Sequence, residues 1–393
     1  MTEAYLGRIR NAIRGESLDG WLFSNFRHRD RLSDELLDLP SDSVNSRPWV
    51  YAVPAEGTPV RIVHAIESGA LNSLPGEKKV YAGRGEYLSA LGLLAGKEWG
   101  AHLSADLPIV SFLDEGSADT FRSAGLRLRS AASLIQRMKG LLDDEGIAGH
   151  ERAAAGLYAI VAETWAFVDG AFRSGAPLRE GDVRSLMLHA MASRSLETDH
   201  PPIVAAGKNA GDPHYDFSGQ GAPIRRGDVV QLDLWAKEKG RGSAYADISW
   251  VGVFAERESE RQRKAFGDLI AARDLAVAYI RRALASGRRP SGASVDEAVR
   301  SALIAAGYAD ALRHRTGHGI DTECHGSGAN IDSFEFPDPR LLLDGSCFSI
   351  EPGIYFDDFG LRTEIDVYLR AGEAIVSGGR IQTEFLRCGG VVV

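Results

Sequence analysis

Three carboxylates lie inside apolar, strand-forming runs of this chain. Asp233 sits in Val229-Val230-Gln231-Leu232-Asp233-Leu234-Trp235, Glu351 in Cys347-Phe348-Ser349-Ile350-Glu351-Pro352, and Glu364 in Leu361-Arg362-Thr363-Glu364-Ile365. Such runs belong in a protein interior, where an isolated carboxylate costs several kcal/mol, so each must be paired, protonated or bound to a cation. Asp247 follows Asp233 across the polar turn Lys237-Glu238-Lys239-Gly240-Arg241-Gly242-Ser243, and Glu364 follows Glu351 across Phe356-Asp357-Asp358-Phe359-Gly360. Two hairpins with two carboxylates each, together with His318, could converge on a pair of metal ions. Taken alone, Asp247 reads equally well as a cap or as the partner of a nearby Lys or Arg. Four carboxylates about 4–6 Å apart would each repel a neighbour by roughly 3–4 kcal/mol at an effective dielectric near 20. Two divalent cations offset that charge. Carboxylate-rich ligation with one imidazole suits manganese, with cobalt, iron or zinc as alternatives.

The 393 residues exceed what one hydrophobic core supports, so two domains are expected, 1–128 and 129–393. A net charge of −9, without a basic stripe interleaved with aromatics, argues against a nucleic-acid partner. Cys324, Cys347 and Cys388 are too few for a disulfide framework and, lacking a CxxC pair, make a poor zinc site. The start Met1-Thr2-Glu3-Ala4-Tyr5-Leu6-Gly7-Arg8 lacks the apolar core of a signal peptide. No stretch approaches the roughly 20 apolar residues of a membrane span. A cytoplasmic protein without a membrane partner is expected.

The first domain reads as α/β. Trp49–Val53 and Val60–His64 are β-rich runs joined by a Pro- and Gly-containing hairpin signal, and Lys79–Ala82, Ile109–Leu113 and Leu126–Leu128 are further strand candidates. His28, His64 and His102 are scattered, with no clustering of acid–base groups, and Asn25–Asp30 reads as a solvated loop. From residue 129 the texture changes to long helical patterns at Gly149–Ser174, Glu180–Ser193, Ser259–Ser286 and Ser294–Ala306, the last opened by a capping box at Ser294 and Glu297. Helix pairs and strands recur at an offset of about 112 residues, Ser174-Gly175 against Ser286-Gly287. That spacing suggests an internal pseudo-twofold duplication in which each half supplies one acidic hairpin.

Three of the ten histidines, His314, His318 and His325, fall within twelve residues, and the glycines flanking His318 allow a close backbone approach. His214 lies in the turn-rich Gly207-Lys208-Asn209-Ala210-Gly211-Asp212-Pro213-His214-Tyr215. With the acidic hairpins and with Glu351-Pro352-Gly353-Ile354-Tyr355 and Gly360-Leu361-Arg362-Thr363-Glu364, these segments resemble, in order, the pita-bread metallopeptidases. That group contains Xaa-Pro dipeptidases (prolidases), aminopeptidase P, methionine aminopeptidase and creatinase.

The resemblance implies a creatinase-like N-terminal α/β domain followed by a pita-bread catalytic domain. It implies Asp233, Asp247, His318, Glu351 and Glu364 as ligands of two divalent ions, with manganese expected and cobalt, zinc or iron as alternatives. It further implies Glu351 as the proton-transferring carboxylate and His214 and His325 as the pair that holds substrate and steadies the tetrahedral intermediate. His314 would line the pocket, with Tyr355 and Arg362 supporting it. The implied reaction is hydrolysis of an Xaa-Pro bond by a hydroxide activated by the two metals. A dipeptidase is favoured over an aminopeptidase acting on longer peptides, with Arg340 as the cation for a free proline carboxylate and Arg315 and Arg362 as its rivals. A metal-free creatinase-like hydrolase or a silent binding module would have lost ligands that this chain keeps. A homodimer is implied, with Arg27-His28-Arg29 a candidate for reaching into the partner. The chain departs from the family in a longer gap from Asp233 to Asp247, in Cys324-His325-Gly326 where Val and Glu commonly flank the histidine, and in Arg315 beside the metal-binding loop.

Overall fold

Trp21, Leu22 and Phe23 are buried on both faces of one strand, around which the N-terminal unit, Met1–Lys139, is arranged. The computed structural model describes residues 1–40, 42–240 and 242–389. In this unit its elements are α1 (Glu3–Gly15), β1 (Gly20–Asn25), α2 (Arg31–Leu36), β2 (Trp49–Pro54), β3 (Val60–His64), β4 (Glu77–Tyr81), α3 (Arg84–Gly92), β5 (Glu98–Ala101), α4 (Glu115–Ser123), β6 (Arg127–Ser130) and α5 (Ala132–Met138). The strands form one mixed sheet in the order β4-β3-β2-β1-β5-β6. The hairpin signal is β2–β3, paired antiparallel. The central strand β1 is missing from the sequence expectations because a strand covered on both faces shows no period-two alternation.

Three expectations are corrected here. Ile109–Leu113 is not a strand: Pro108 opens a 3-10 turn to Val110, and the Phe112 and Leu113 amides both donate to the His102 carbonyl, each at 2.8 Å. Residues 129–139 belong to this unit, because β6 crosses position 128 and Leu134 and Ile135 of α5 join Ile9 and Ile13 of α1 in one core. Asn25–Asp30 is not simply a solvated loop. Asn25 and Asp30 are each 5% exposed, and the Trp21 indole donates to His102 Nε2 at 3.1 Å. That leaves Nδ1 to donate to Asp30 Oδ2 at 2.7 Å, where the Ser33 hydroxyl also donates at 2.6 Å. Acid–base groups therefore do cluster here, as a buried polar tie.

The second unit, Gly140–Val393, holds α6 (Asp144–Ser174), α7 (Glu180–Ser193), β7 (Leu196–Glu197), β8 (Ile203–Ala206), β9 (Val229–Glu238), β10 (Ala246–Val253), α8 (Glu260–Ala285) and α9 (Gly292–Ala305). It continues with β11 (Cys347–Ile350), β12 (Gly353–Tyr355), β13 (Gly360–Arg362), β14 (Ile365–Arg370), β15 (Glu373–Val376) and β16 (Leu386–Arg387). Leu157, Val161, Val183 and Met187 of α6 and α7 pack on Val204, Leu232 and Ile248 of β8–β10. Phe266, Leu269, Val295 and Val299 of α8 and α9 pack on Phe348, Ile350, Leu361 and Val367. Both patterns follow the 3.6-residue period of the helices. The box at Ser294 is displaced: Ser291 caps α9, its hydroxyl accepting the Ser294 amide at 3.2 Å, while the Ser294 hydroxyl donates to the Ser291 carbonyl at 2.8 Å.

The extended runs around Glu351 and Glu364 are each split in two, β11 and β12 in the first and β13 and β14 in the second. The register is the same on both sides of the break, Ile350↔Ile365 and Gly353↔Arg362, so Glu351 lies opposite Glu364. Pro352 has no amide to continue the ladder. The Glu351 amide instead donates to Thr316 O at 2.7 Å, and the Glu364 amide to Ser249 O at 3.1 Å. Among the described residues no helix is long and apolar enough to cross a membrane.

Candidate metal centre

The β9–β10 register pairs Asp233 with Ser249 and Trp235 with Asp247, which puts the two aspartates diagonally on one face. Ser249 Oγ lies 2.8 Å from Asp233 Oδ1 and 3.0 Å from Glu364 Oε2, so one hydroxyl ties the two hairpins together. His318 arrives on a segment hydrogen-bonded along β11: Ser349 N donates to His318 O at 2.9 Å and Ile320 N to Cys347 O at 2.8 Å. The approach requires glycine beside the histidine, because a Cβ at Gly317 would stand 2.0 Å from the Ser349 carbonyl oxygen. His318 Nε2 is then 3.4 Å from Glu351 Oε1 and 3.6 Å from Asp247 Oδ2.

Three overlapping sets each offer ligand atoms within 4.8 Å of one another: Asp233, Asp247 and Glu364; His318, Glu351 and Glu364; and Asp247, His318 and Cys324. Burial, then Asp233 and Asp366, pushes the Asp247 pKa well above the carboxylate range. Burial, then Asp247 and Glu351, does the same to Glu364. Glu351 is pushed up to about 7 by burial, against the lowering pull of Arg362. His318 is driven well down by burial and then by His325, which leaves a neutral imidazole with a lone pair to offer. Asp247 Oδ1 and Glu364 Oε1 are buried without a hydrogen-bond partner. Orphaned carboxylate oxygens among protonation-prone acids and a neutral imidazole are what a divalent cation would satisfy, so this set fits metal.

The centre lies in the wall of a cavity of about 450 Å³, lined also by His214, His314, His325, Arg315, Arg362 and Cys324. Among the described residues no ring nitrogen of His214 or His325 is hydrogen-bonded to the chain. Partial desolvation, then Arg315 and His214, pushes the His325 pKa down to about 4 although its edge is open to solvent. His314 is occupied: Nδ1 donates to Arg315 O and Nε2 accepts the Tyr355 hydroxyl, both at 2.7 Å. Arg362 donates to Ser249 Oγ at 3.1 Å and to Tyr355 Oη at 3.0 Å, and it pairs with Asp233. Tyr355 and Arg362 thus brace the wall.

Arg340 does not reach the cavity. It is 5% exposed, with its guanidinium on Asp338 at 2.7 Å and on the Ser327 and Gly328 carbonyls, each at 2.7 Å, so it is withdrawn as a substrate cation. Arg315, a rival for that role, lines the cavity with its guanidinium 4.0 Å from Asp332 Oδ2. Of the expected long turn after Asp233, Arg241 lies outside the described residues. Sequence reasoning missed Ser249, although it lies two residues from Asp247 on the same strand face. It also missed Asp366, which accepts the Asp247 amide at 2.7 Å. It missed Cys324 as well, whose thiol donates to Asp247 Oδ2 at 3.1 Å and so stands beside the ligand set.

A family description, metallopeptidase family M24, matches residues 149–371. The chain is 30% identical over 170 residues to an Xaa-Pro dipeptidase of Lactobacillus delbrueckii subsp. lactis, covering 43% of this chain and 42% of that one. It is 27% identical over 250 residues to a probable dipeptidase PepE of Mycobacterium tuberculosis, covering 63% and 60%. These matches span about two fifths to three fifths of the curated relatives' length. In fold, the chain is similar to the dipeptidase PepE of Mycobacterium ulcerans, with a TM-score of 0.71, 22% identity and coverage of 97% and 96%. It is likewise similar to a prolidase from Thermococcus sibiricus, with a TM-score of 0.64, 23% identity and coverage of 98% and 99%.

Proposed function

The chain belongs to metallopeptidase family M24, and from that premise we propose that it is an Xaa-Pro dipeptidase working at a dinuclear metal centre. One observation carries this: the overlapping ligand sets of Asp233, Asp247, His318, Glu351 and Glu364 lie in the wall of a cavity that also presents two unengaged imidazoles and a guanidinium. Its volume of about 450 Å³ is in the range of small-molecule sites, about 300–1,000 Å³. Manganese is the proposed occupant of the carboxylate-only position at Asp233, Asp247 and Glu364. When bound, the two ions polarise the scissile carbonyl and acidify the attacking water.

Glu351 would take the proton from that water and return it to the leaving proline nitrogen, the role the family resemblance gives it. His325, neutral because its pKa is pushed down to about 4, donates an N–H to the developing oxyanion. His214, which also lines the cavity, would hold the substrate. Arg315 receives the free carboxylate of proline, since Arg362 is committed to Asp233 and Arg340 lies outside the cavity. A homodimer is proposed on the same resemblance and tested by sedimentation, while a cytoplasmic location and the internal repeat are proposed from the sequence features that suggested them. Comparing an Xaa-Pro dipeptide with a tripeptide beginning Xaa-Pro tests the substrate: the dipeptide is expected to be cleaved faster, and a preference for the tripeptide would make the enzyme an aminopeptidase.

A further inference from the structure

We propose that Cys324 is a ligand of the metal centre, its thiolate joining Asp247 and His318 so that one of the two positions takes a thiophilic divalent ion, zinc or cobalt, in preference to manganese. This rests on the dinuclear reading above and deepens it.

The thiol is 6% exposed and borders the cavity. Sγ stands 3.1 Å from Asp247 Oδ2, and the Asp247, His318 and Cys324 donors lie within 4.8 Å of one another. An independent observation points the same way: Asp247 is 5% exposed, yet its Oδ1 has no hydrogen-bond partner. A thiol is a weak donor and satisfies that carboxylate poorly. A cation held by the Asp247 carboxylate, Sγ and the His318 nitrogen would satisfy all three groups. The turn presenting the thiol is tied down on both sides: the Gly326 amide donates to Gly319 O at 2.7 Å, and the Ser327 amide to Asp321 Oδ2 at 2.7 Å. Cys347 instead faces the His150 ring at 3.7–3.8 Å, and Cys388 lies in the core beneath α6. Cys324 is thus the thiol placed for this role.

Ligation breaks the S–H bond, releases the proton to solvent through the cavity, and commits the sulfur electron pair to the ion. Thiolate donors favour zinc and cobalt over the harder manganese, which prefers oxygen.

The test is a cobalt titration of the full chain after removal of metal by a chelator. A sulfur-to-cobalt charge-transfer band in the near ultraviolet is expected to grow with the first bound ions and to be absent from Cys324→Val. Zinc affinity is expected to fall about tenfold or more in that variant, with manganese affinity changing much less. Cobalt that binds with visible d–d bands but no charge-transfer band, or with the same spectrum in Cys324→Val, would overturn the proposal and leave the dinuclear reading standing. A chain that binds no cobalt would overturn both. If Cys324→Val fails to fold, Cys324→Ala replaces it. Peptide-resolved alkylation of the unsubstituted protein gives a second readout, with zinc expected to protect Cys324; equal labelling with and without zinc would also overturn the proposal.

Discussion

The two acidic hairpins do different structural work with the same residue type. Asp233 and Asp247 sit on an unbroken ladder, diagonally placed, with β8 pairing along the other edge at Asp233 and Asp366 accepting the Asp247 amide. Glu351 and Glu364 face each other across a gap where the ladder is open, and their amides reach out to Thr316 and to Ser249. The first hairpin is a rigid platform. The second is a hub, whose break recruits the His318 segment on one side and the first hairpin on the other. Shorter aspartates on the closed ladder and longer glutamates at the gap therefore meet in one small volume. The carboxylates at the gap can face one another because the backbone there is satisfied elsewhere.

Breaking Glu364 of the hub is expected to cost more than breaking Asp233 of the platform, which belongs to one ligand set. Glu364 belongs to two of the ligand sets, so Glu364→Gln is expected to lower turnover well beyond the 10–100-fold typical of residues outside the coordination sphere. An equal or larger loss in Asp233→Asn, assayed beside it, would reverse that order. Next comes the histidine after the hub segment: His325→Ala is expected to lose about 10²–10³ in kcat with metal content unchanged. Unaltered turnover would remove His325 from the chemistry. Arg315→Ala removes a charge-assisted hydrogen bond of about 1.5–3 kcal/mol, so kcat/KM for an Xaa-Pro dipeptide is expected to fall about 10–100-fold. A peptide extended beyond proline should be nearly unaffected, and an equal loss on both would take the carboxylate contact away from Arg315.

The smallest effect concerns pH. Glu351, Asp247 and Glu364 have raised pKa values, so in the metal-free protein their stabilising contribution is full below the ordinary carboxylate range and is lost as pH rises, through about 7 for Glu351. His314 is pushed down to about 3 by burial, so its contribution is present above its ordinary pKa and is lost only as pH falls. Between pH about 6.5 and 8 the carboxylates therefore dominate. The Tm of chelated protein is expected to fall over that window while manganese-loaded protein holds its Tm. A gap between the two melts that shrinks as pH rises would contradict this.

Much of the hub was legible from sequence, and its setting was not. Carboxylates inside apolar runs announce a buried charge that needs a cation, and Gly317-His318-Gly319 announces a close backbone approach. Both signals are local. Arg340 and Arg315 could not be ranked locally, because the difference lies in partners brought by folding: Asp338 and two carbonyls bind one, and the cavity leaves the other available. The break at Pro352 was visible as a residue without a donor, but its consequence, Glu351 opposite Glu364, depends on register. Cys324 was dismissed by spacing within the chain, whereas its neighbours Asp247 and His318 come from different segments.

The central claim is that these carboxylates exist to hold two cations. Elemental analysis of the chain after manganese loading and desalting tests it directly. About two divalent ions per chain are expected, with binding lost in Glu364→Gln. Less than one ion per chain would contradict the account and favour a metal-free member of the same fold.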